Sequence, residues 1–376
     1  MNTSEGYQIC SRCIMDTTDP DITFNTYSVC CYCDSYDFRL KTEIFHHEDK
    51  TNRLKELVNK IKQKGSGKKY DCLLGVSGGV DSSYVLLKLI DLGLRPLAMH
   101  VDNGWNSELA VDNIKNMLEK FDVDLVTHVL NWENFRDIQL AFLKASVPNA
   151  EIPTDHAIVA LNFHTAQQHG IKYIINGGNI TTEAFMPLSF AYDARDKRHL
   201  KAVNKIYNKN GLGSFPTLGI PAALYHVLFR GVKWISILNY FDYQKSEAIK
   251  ELENRVGWRE YGGKHYESIY TRFYQGYILK EKFGFDKKRV HLANLVLSKD
   301  ISRESALEQI ANEDYIGTQT FYTDMTFVLK KYGISQKEFD EIMHLQPQTH
   351  YDYPNNRILL EKSPKIFSIF KKYVTK

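Results

Sequence analysis

The sequence predicts an α/β fold built on a parallel β-sheet, and three observations lead to this prediction. Short apolar runs typical of buried strands alternate with segments of helical period between residues 70 and 178. Glycine-containing or polar turns follow several of the apolar runs. Hydrophobic residues make up 43% of the chain and charged residues 25%, as in a chain with a packed core. Such alternation is typical of a parallel sheet covered on both faces, with ligands bound beyond the carboxyl ends of the strands.

The elements can be placed along the 376 residues. Strands are predicted at 70–76, 95–102, 124–131 and 172–178. Helices are predicted at 49–64, 84–93, 107–122, 132–146 and 154–170, and later at 242–254, 266–283 and 303–312. The length and the change of pattern near residue 190 indicate three units, namely a cysteine-rich segment (1–45), an α/β domain (46–190) and a mainly helical, aromatic-rich region (191–376).

Bulk properties limit the partners. The formal net charge is only +3, so a dedicated nucleic-acid binder is disfavoured. No apolar run approaches the roughly 20 residues that span a bilayer, and the first residues do not resemble a signal peptide. We therefore expect a cytoplasmic protein without a membrane partner.

The cysteines predict a metal site. Cys10 and Cys13 form one CxxC pair, and Cys30 and Cys33 form a second pair at the spacing of a structural zinc ribbon. Four thiolates complete the coordination of Zn²⁺, so the predicted role is structural. An iron–sulfur cluster is the alternative, and Cys31, beside the second pair, leaves the ligand register open.

The main functional motif is the loop SGGVDSS, residues 77–83, which lies between a predicted buried strand and a predicted helix. Two glycines permit a tight turn and a close approach of the backbone to phosphate. The amides of the turn and of the helix start form an anion site, to which the serines add hydroxyl donors. No lysine follows the glycines, so this is not a GxxxxGK[ST] loop. An ordinary glycine turn is the structural alternative.

This loop resembles the PP-loop of the ATP pyrophosphatases, whose pattern is SGGxDS. The match comprises Ser77, Gly78, Gly79, Asp81, Ser82 and Ser83. The resemblance implies an adenine nucleotide α-hydrolase-like domain that binds ATP and Mg²⁺ and cleaves ATP between its α and β phosphates. It also implies that Asp81 helps to hold the magnesium pyrophosphate.

Other strand ends add candidate ligands. Asp102 stands at the end of the second strand, where this superfamily holds adenosine, and Gly177 and Asn179 stand at the end of the last predicted strand. Asp155 and His156 open a helix, and Asp155 is a candidate Mg²⁺ ligand. Each of these residues could instead cap a turn or a helix.

Nearly the whole chain resembles the N-acetyl sugar amidotransferases of bacterial surface-glycan biosynthesis, which serve lipopolysaccharide O-antigen and flagellar glycans. The segments that carry the resemblance are CSRCIMDTTDPDI (10–22), CCYCD (30–34), GVSGGVDSSY (75–84), NWENFRD (131–137), VPNAEIPTDHAI (147–158), NGGNITTE (176–183) and YGGKHYESIYTRFYQGYIL (261–279). The family implies an N-acetylated, often nucleotide-linked, sugar as substrate and an acetamidino sugar as product. NGG at 176–178 departs from the TGH-type start of other PP-loop enzymes, so no histidine role is carried over there.

The expected reaction adenylates the acetamido oxygen, after which ammonia displaces AMP. The candidates for a general base are Asp155, His156 and Glu183. A tRNA-modifying PP-loop enzyme with an RNA-binding ribbon is one alternative, but sulfur carriers need cysteines beside the nucleotide, and the chain has none after Cys72. A non-catalytic scaffold is another, although it would have no need of an intact loop.

The same cysteine count bears on the nitrogen source. Glutamine hydrolysis normally uses a cysteine nucleophile, either in a triad or at the mature N-terminus. Four of the six cysteines are assigned to metal, Cys72 lies in a strand, and Cys31 adjoins a metal ligand. The family resemblance implies a separate glutaminase subunit that supplies ammonia, with a cyclase-like barrel subunit as a further partner.

An aromatic and basic segment at 258–277 is the candidate substrate region. Lys264, His265 and Arg272 are predicted to face an anionic sugar nucleotide. The aromatic residues of the segment recur at helical spacing, and the alternative for them is a stripe that faces the core.

Overall fold

A computed structural model describes residues 6–44, 47–261, 266–312 and 315–357. Its centre is a five-stranded, fully parallel sheet in the order β3-β2-β1-β4-β5. The strands are β1 (Cys72–Gly75), β2 (Pro96–Asp102), β3 (Leu125–Val129), β4 (Tyr173–Asn176) and β5 (Lys233–Ser236). The α/β class with a parallel sheet is confirmed.

Helices occupy most of the remaining described chain. The α-helices are α1 (Cys31–Glu43), α2 (His47–Gly65), α3 (Val80–Asp91), α4 (Glu108–Phe121), α5 (Trp132–Lys144), α6 (Ile152–Gln168), α7 (Ile180–Glu183), α8 (Lys197–Tyr207), α9 (Ile220–Leu224), α10 (Lys245–Val256), α11 (Ile269–Phe273), α12 (Leu279–Phe283), α13 (Lys287–Leu297), α14 (Arg303–Asn312), α15 (Gln319–Tyr332) and α16 (Gln336–His344). Two π-helical turns, Tyr225–Phe229 and Tyr274–Ile278, follow α9 and α11, and 3-10 turns lie at Ile237–Tyr240 and His350–Asp352.

Hydrophobic cores cover both faces of the sheet, and the side chains of each strand point alternately into one core and the other. In β1, Cys72 and Leu74 belong to a core with α3, α4 and α10, whereas Leu73 belongs to a core with α6 on the opposite face. This two-sided burial explains why β1 reads as a continuous apolar run rather than as an alternating one.

The four predicted strands and the main predicted helices are present, with ends displaced by a few residues. Strand β5 was not predicted because it has only four residues and these are partly exposed. The predicted helix at 266–283 contains a π-helical turn between α11 and α12. Both β5 and α10, which follow residue 190, pack with the central sheet. The proposed domain boundaries stay a prediction.

Two further cores lie beside the sheet. One combines α5, α8, α11 and α15. The other joins the cysteine segment to the chain around Ile180–Phe190 and to α13 and α14. No helix in the described ranges is both long enough and apolar enough to cross a membrane.

Candidate active site and metal centre

The predicted phosphate loop lies where a parallel sheet places its ligands. It joins the carboxyl end of β1 to the start of α3. Gly78 has φ +82°, a left-handed conformation that suits glycine. The indole nitrogen of Trp258 donates to the carbonyl oxygen of Gly78 at 3.0 Å, so a distant part of the chain fixes the turn.

Serine hydroxyls organise the interior of this loop. The Oγ of Ser82 accepts from the Ser77 amide at 3.3 Å and donates to the Gly79 carbonyl at 3.1 Å. The Gly79 amide donates to Ser77 Oγ at 3.2 Å. Ser83 is buried, and its amide donates to Gly79 O at 3.0 Å. Ser77 and Ser82 therefore shape the loop and line the pocket, whereas Ser83 supports the first turn of α3.

Two neighbours orient the carboxylate of Asp81. The Tyr243 hydroxyl donates to Oδ1, and the Asn179 amide nitrogen lies 3.4 Å from the same oxygen. Asn179 also caps α7, accepting from the Thr182 amide at 2.8 Å. A Cβ on Gly177 would lie 3.1 Å from the Cβ of Asp81, so glycine allows the two loops to approach. Three predicted residues, Asp81, Gly177 and Asn179, thus come together from the chain that follows two strands, β1 and β4.

A pocket of about 210 Å³ opens over this loop. Its lining is Gly75, Ser77, Gly79, Val80, Asp81, Ser82, Gly177, Glu183, Lys245, Ile249, Trp258, Glu260, Tyr261 and Glu267. Five residues predicted to bind nucleotide therefore share one cavity with Glu183, a predicted candidate base. Gly78 and Asn179 are not in the lining, but each contacts a lining residue, Trp258 and Asp81 respectively.

The lining is predominantly acidic. Asp81, Glu183, Glu260 and Glu267 face it, and Lys245 is the cation among the described lining residues. Burial raises the pKa of the Tyr261 hydroxyl, and the carboxylates of Glu267 and Asp81 raise it further. Tyr261 therefore stays neutral and can act as a hydrogen-bond donor. A pocket of this charge favours cations.

The other predicted nucleotide and magnesium ligands lie outside this lining. Asp102 accepts from the Gly104 amide at 2.8 Å and so caps the turn after β2. Asp155 is exposed in the first turn of α6. The alternative considered for Asp102, a turn-capping role, matches the geometry.

His156 has a structural environment. Its Nδ1 donates to the Ala194 carbonyl at 2.6 Å, and its Nε2 accepts from the Leu218 amide at 3.1 Å. Burial lowers the pKa of the ring. Both ring nitrogens are occupied by backbone, which argues against the general-base role considered for His156.

Of the three predicted substrate cations, Arg272 is the one that the structure describes. Lys264 and His265 lie outside the described residues. Arg272 forms a two-point ion pair with Asp324 at 2.7 and 2.8 Å, and its guanidinium lies over the Tyr266 ring. The structure therefore gives Arg272 an internal partner.

The aromatic stripe of the same segment largely faces the core. Tyr270, Phe273 and Tyr274 are almost completely buried, as the structural alternative predicted.

Besides Gly75 and Val80, which stand next to predicted residues of the loop, sequence reasoning missed six lining residues, namely Lys245, Ile249, Trp258, Glu260, Tyr261 and Glu267. Four of them fall in or beside the segment 258–277 that was singled out for its composition, so a weak signal existed. Nothing in the sequence marks Lys245 or Ile249, which reach the pocket because α10 packs beside α3.

The four predicted cysteine ligands converge. The sulfur atoms of Cys10, Cys13, Cys30 and Cys33 all lie within 4.8 Å of one another, and all four residues are fully buried. Cys31 is not part of this group, which resolves the ligand register.

Backbone amides and one arginine stabilise the cluster. Cys10 Sγ accepts from the Cys13 and Cys30 amides at 3.4 and 3.3 Å. Arg303 of α14 donates to the carbonyl oxygens of Cys10 and Cys13 at 2.9 and 2.8 Å. The chemistry of four buried sulfurs fits a metal ion, and the centre is anchored to the C-terminal helices.

Comparisons with solved structures give distant likenesses. An NH3-dependent NAD synthetase from Campylobacter jejuni is 15% identical and has a TM-score of 0.28, over 55% of this chain and 93% of that chain. A U34-tRNA thiolase from Methanococcus maripaludis with a [4Fe-4S] cluster is 13% identical and has a TM-score of 0.33, over 70% and 83%. At these identities and TM-scores, neither likeness informs the activity of this chain.

Sequence comparisons add two matches. An uncharacterised protein of Methanocaldococcus jannaschii is 24% identical over 274 residues, which are 70% of this chain and 79% of that protein. Residues 267–367 match the family model described as LPS biosynthesis protein WbpG-like, C-terminal domain. Over that segment the chain is similar to WbpG-like LPS biosynthesis proteins, which agrees with its resemblance to the sugar amidotransferases of surface-glycan biosynthesis.

Proposed function

We propose that this chain is an ATP-dependent amidotransferase that converts the acetamido group of a nucleotide-linked sugar into an acetamidino group. The observation that carries the proposal is the SGGVDSS loop, which lies at the carboxyl end of β1 with the Asp81 carboxylate held by Tyr243 and Asn179. The match of residues 267–367 to an LPS biosynthesis family supports a sugar substrate.

The loop binds the phosphates of ATP. Amides in the first turn of α3 have no acceptor within the helix and carry the positive end of its dipole. Ser77 and Ser82 add hydroxyl groups at the pocket wall. Backbone amides and hydroxyls together form a site for an anion such as pyrophosphate.

Magnesium binding follows from the charge of the pocket. Asp81 and Glu267 offer the hard oxygen ligands that Mg²⁺ prefers, and Asp81 belongs to the loop itself. Without a cation, these carboxylates would repel the polyphosphate. When bound, Mg²⁺ supplies electrostatic stabilisation of the charge that develops on the phosphates.

The chemistry balances in two steps. The acetamido oxygen attacks the α-phosphorus of ATP, the bond to the bridging oxygen breaks, and pyrophosphate leaves. Ammonia then attacks the imidate carbon, the C–O bond breaks, and AMP departs with the former acetamido oxygen. An amide is a poor electrophile, and adenylation turns its oxygen into a good leaving group.

Glu183 is the best-placed of the candidate bases, because it lines the pocket whereas Asp155 and His156 do not. Its carboxylate would accept a proton from the attacking nitrogen. Glu183→Gln should lower the rate of amidine formation while ATP still binds. Unchanged turnover in this variant would remove Glu183 from the mechanism.

Ammonia comes from a partner. Burial raises the pKa of the Cys72 thiol in β1, which keeps the thiol protonated. Four other cysteines form the metal cluster, and none of the described pocket-lining residues is cysteine. A separate glutaminase subunit would supply ammonia, with a cyclase-like barrel subunit as a further partner.

Zn²⁺ is the metal that best fits the cysteine cluster. Three Sγ–Sγ separations are 3.6, 3.6 and 3.7 Å. A tetrahedron with Zn–S bonds of about 2.3 Å has sulfur atoms about 3.8 Å apart. An iron–sulfur cluster places several iron atoms between the sulfurs and would require wider spacing.

The test is a mass-spectrometric screen of N-acetylated sugar nucleotides with ATP and ammonium. A substrate should lose about one dalton as oxygen is replaced by NH, with release of AMP and pyrophosphate. High ammonium should support turnover by the isolated chain, whereas glutamine should do so only when the glutaminase is added. Robust glutamine use by the pure chain would refute the separate supplier.

The tRNA-modifying alternative predicts a different outcome. The chain would then bind tRNA with a steep dependence on salt and consume ATP only when tRNA is present. Such behaviour, together with no change in any sugar nucleotide, would contradict the proposed function.

A further inference from the structure

A short helical segment exposes apolar side chains far from the pocket. Tyr225, Leu228 and Phe229, which we call the outer patch, are 52%, 47% and 80% exposed. They lie in the π-helical turn after α9, and the rings of Tyr225 and Phe229 stack with centroids 5.9 Å apart. The opposite side of the turn, which includes His226 and Val227, packs on the sheet core. The segment is therefore amphipathic.

A group of cations begins at Arg230, the residue that follows the outer patch. Lys172 donates to the Arg230 carbonyl at 2.8 Å, and Lys64, Lys68 and Arg230 all act on Lys172 electrostatically. Lys233 is exposed at the start of β5, three residues after Arg230. Within the part of the chain that the structure describes, none of these five cations forms an ion pair with a carboxylate.

These groups lie at the end of the sheet opposite the pocket. Lys68, Lys172 and Arg230 precede β1, β4 and β5 respectively, and all strands are parallel. The cations therefore gather at the amino ends of the strands, whereas the phosphate loop lies at the carboxyl end of β1. Nucleotide chemistry does not account for them.

We infer that the outer patch and its cations bind the surface of an anionic phospholipid membrane. Exposed aromatic and aliphatic side chains on an amphipathic turn, flanked by lysine and arginine, are typical of interfacial attachment. Unpaired cations fit anionic headgroups, while the protruding ring of Phe229 fits the headgroup–acyl boundary. This inference departs from the expectation, drawn from the sequence, that the protein has no membrane partner.

Three other occupants fit less well. A second copy of the chain would bring the same unpaired cations together across a two-fold interface. The ammonia-supplying partner must reach the pocket, which lies at the other end of the sheet, beyond the carboxyl ends of the strands. An RNA would suit the cations but would not need Leu228.

The experiment is co-sedimentation of the full chain with vesicles made of equal parts phosphatidylglycerol and phosphatidylcholine, compared with pure phosphatidylcholine vesicles. The wild type should bind the anionic vesicles and lose most binding at high salt. Phe229→Ser should weaken binding at least tenfold, and Arg230→Gln and Lys233→Gln about fivefold each. The matched control is Tyr27→Ser, which removes an 81% exposed aromatic ring in the cysteine segment and should bind as the wild type does.

Each alternative has its own readout. Failure of the wild type to bind anionic vesicles, or equal binding by Phe229→Ser, overturns the inference. The inference is also overturned if the wild type does not bind vesicles but forms a dimer in light scattering, or a complex with RNA, that Phe229→Ser abolishes. ATP binding by each variant verifies that the fold and the nucleotide site are intact.

Discussion

Gly78 lies directly against Ala110 of α4: a Cβ on Gly78 would be 2.5 Å from the Ala110 carbonyl oxygen. Gly78 also has φ +82°. The phosphate loop is thus wedged between the sheet and α4, and both the backbone conformation and the available space require glycine at this position.

Replacing Gly78 with alanine should therefore displace the loop and abolish measurable ATP binding. The matched control is Gly211→Ala, because Gly211 has φ +65° but a Cβ added there would have no other atom within 4 Å. The control should lose about 1–2 kcal/mol of stability from the left-handed backbone alone, with ATP binding intact. Calorimetric titration of both variants with Mg-ATP checks this, and normal binding by Gly78→Ala would contradict it.

Tyr243→Phe should raise the Mg²⁺ concentration needed for activity. The variant removes the hydroxyl that donates to Asp81, leaving Asn179 to orient the carboxylate. Hydrogen bonds to charged groups contribute about 1.5–3 kcal/mol, so we expect at least a tenfold loss in kcat/KM for ATP at limiting Mg²⁺. Tyr84→Phe, which alters a neighbouring ring, is the control. A Tyr243→Phe enzyme with lower stability but an unchanged Mg²⁺ profile would show that the contact is only structural.

The cysteine cluster should hold about one zinc ion per chain. Cys30→Ser removes one of the four converging sulfurs and should lose the metal together with stability, because binding free energy contributes to folding. Cys31→Ser changes the adjacent residue outside the cluster and should keep the metal. Elemental analysis of the three proteins is the measurement. Iron with acid-labile sulfide in the wild type would refute the zinc assignment.

A buried histidine pair predicts a loss of stability in mild acid. His350 Nε2 accepts from the Asn149 amide, and its Nδ1 donates to His199 Nε2 at 3.0 Å. Burial lowers the pKa of His199 to about 4, below its unfolded value near 6.5. The contribution of the neutral ring to the free energy of unfolding is fully present above about pH 6.5. It is lost as the pH falls towards 4, because the unfolded chain binds the proton more tightly than the folded chain does.

For His199 alone, the expected loss between pH 7 and pH 5 is about 2 kcal/mol. His199→Asn removes this titration. Between pH 7 and pH 5, the unfolding free energy of the variant should therefore fall by about 2 kcal/mol less than that of the wild type. Urea unfolding at both pH values gives the comparison. Equal pH dependence in the two proteins would mean that the pair does not titrate as described.

Much of the fold could be predicted because the decisive signals are local. The glycine-rich loop between an apolar strand and a helix predicted the position of Asp81, and two CxxC pairs predicted the cluster of four cysteines. Strand β5 could not be predicted, since its four residues become a strand only by pairing with β4.

Tertiary packing decided the rest of the site. Lys245 and Trp258 reach the pocket because α10 and the chain after it pack against α3, a contact that no local pattern encodes. His156 has a suitable residue type for a base, but the backbone of Ala194 and Leu218 occupies both of its nitrogens. Arg272 was identified by its charge, and only the structure shows Asp324 beside it.

Transfer of the acetamido oxygen is the most direct measurement of the proposed chemistry. An N-acetylated sugar nucleotide labelled with ¹⁸O in the acetamido group is turned over with Mg-ATP and ammonium, and the AMP is analysed by mass spectrometry. Adenylation of that oxygen predicts one ¹⁸O atom in each AMP formed, in step with the amidine product. Amidine formed alongside unlabelled AMP would contradict it.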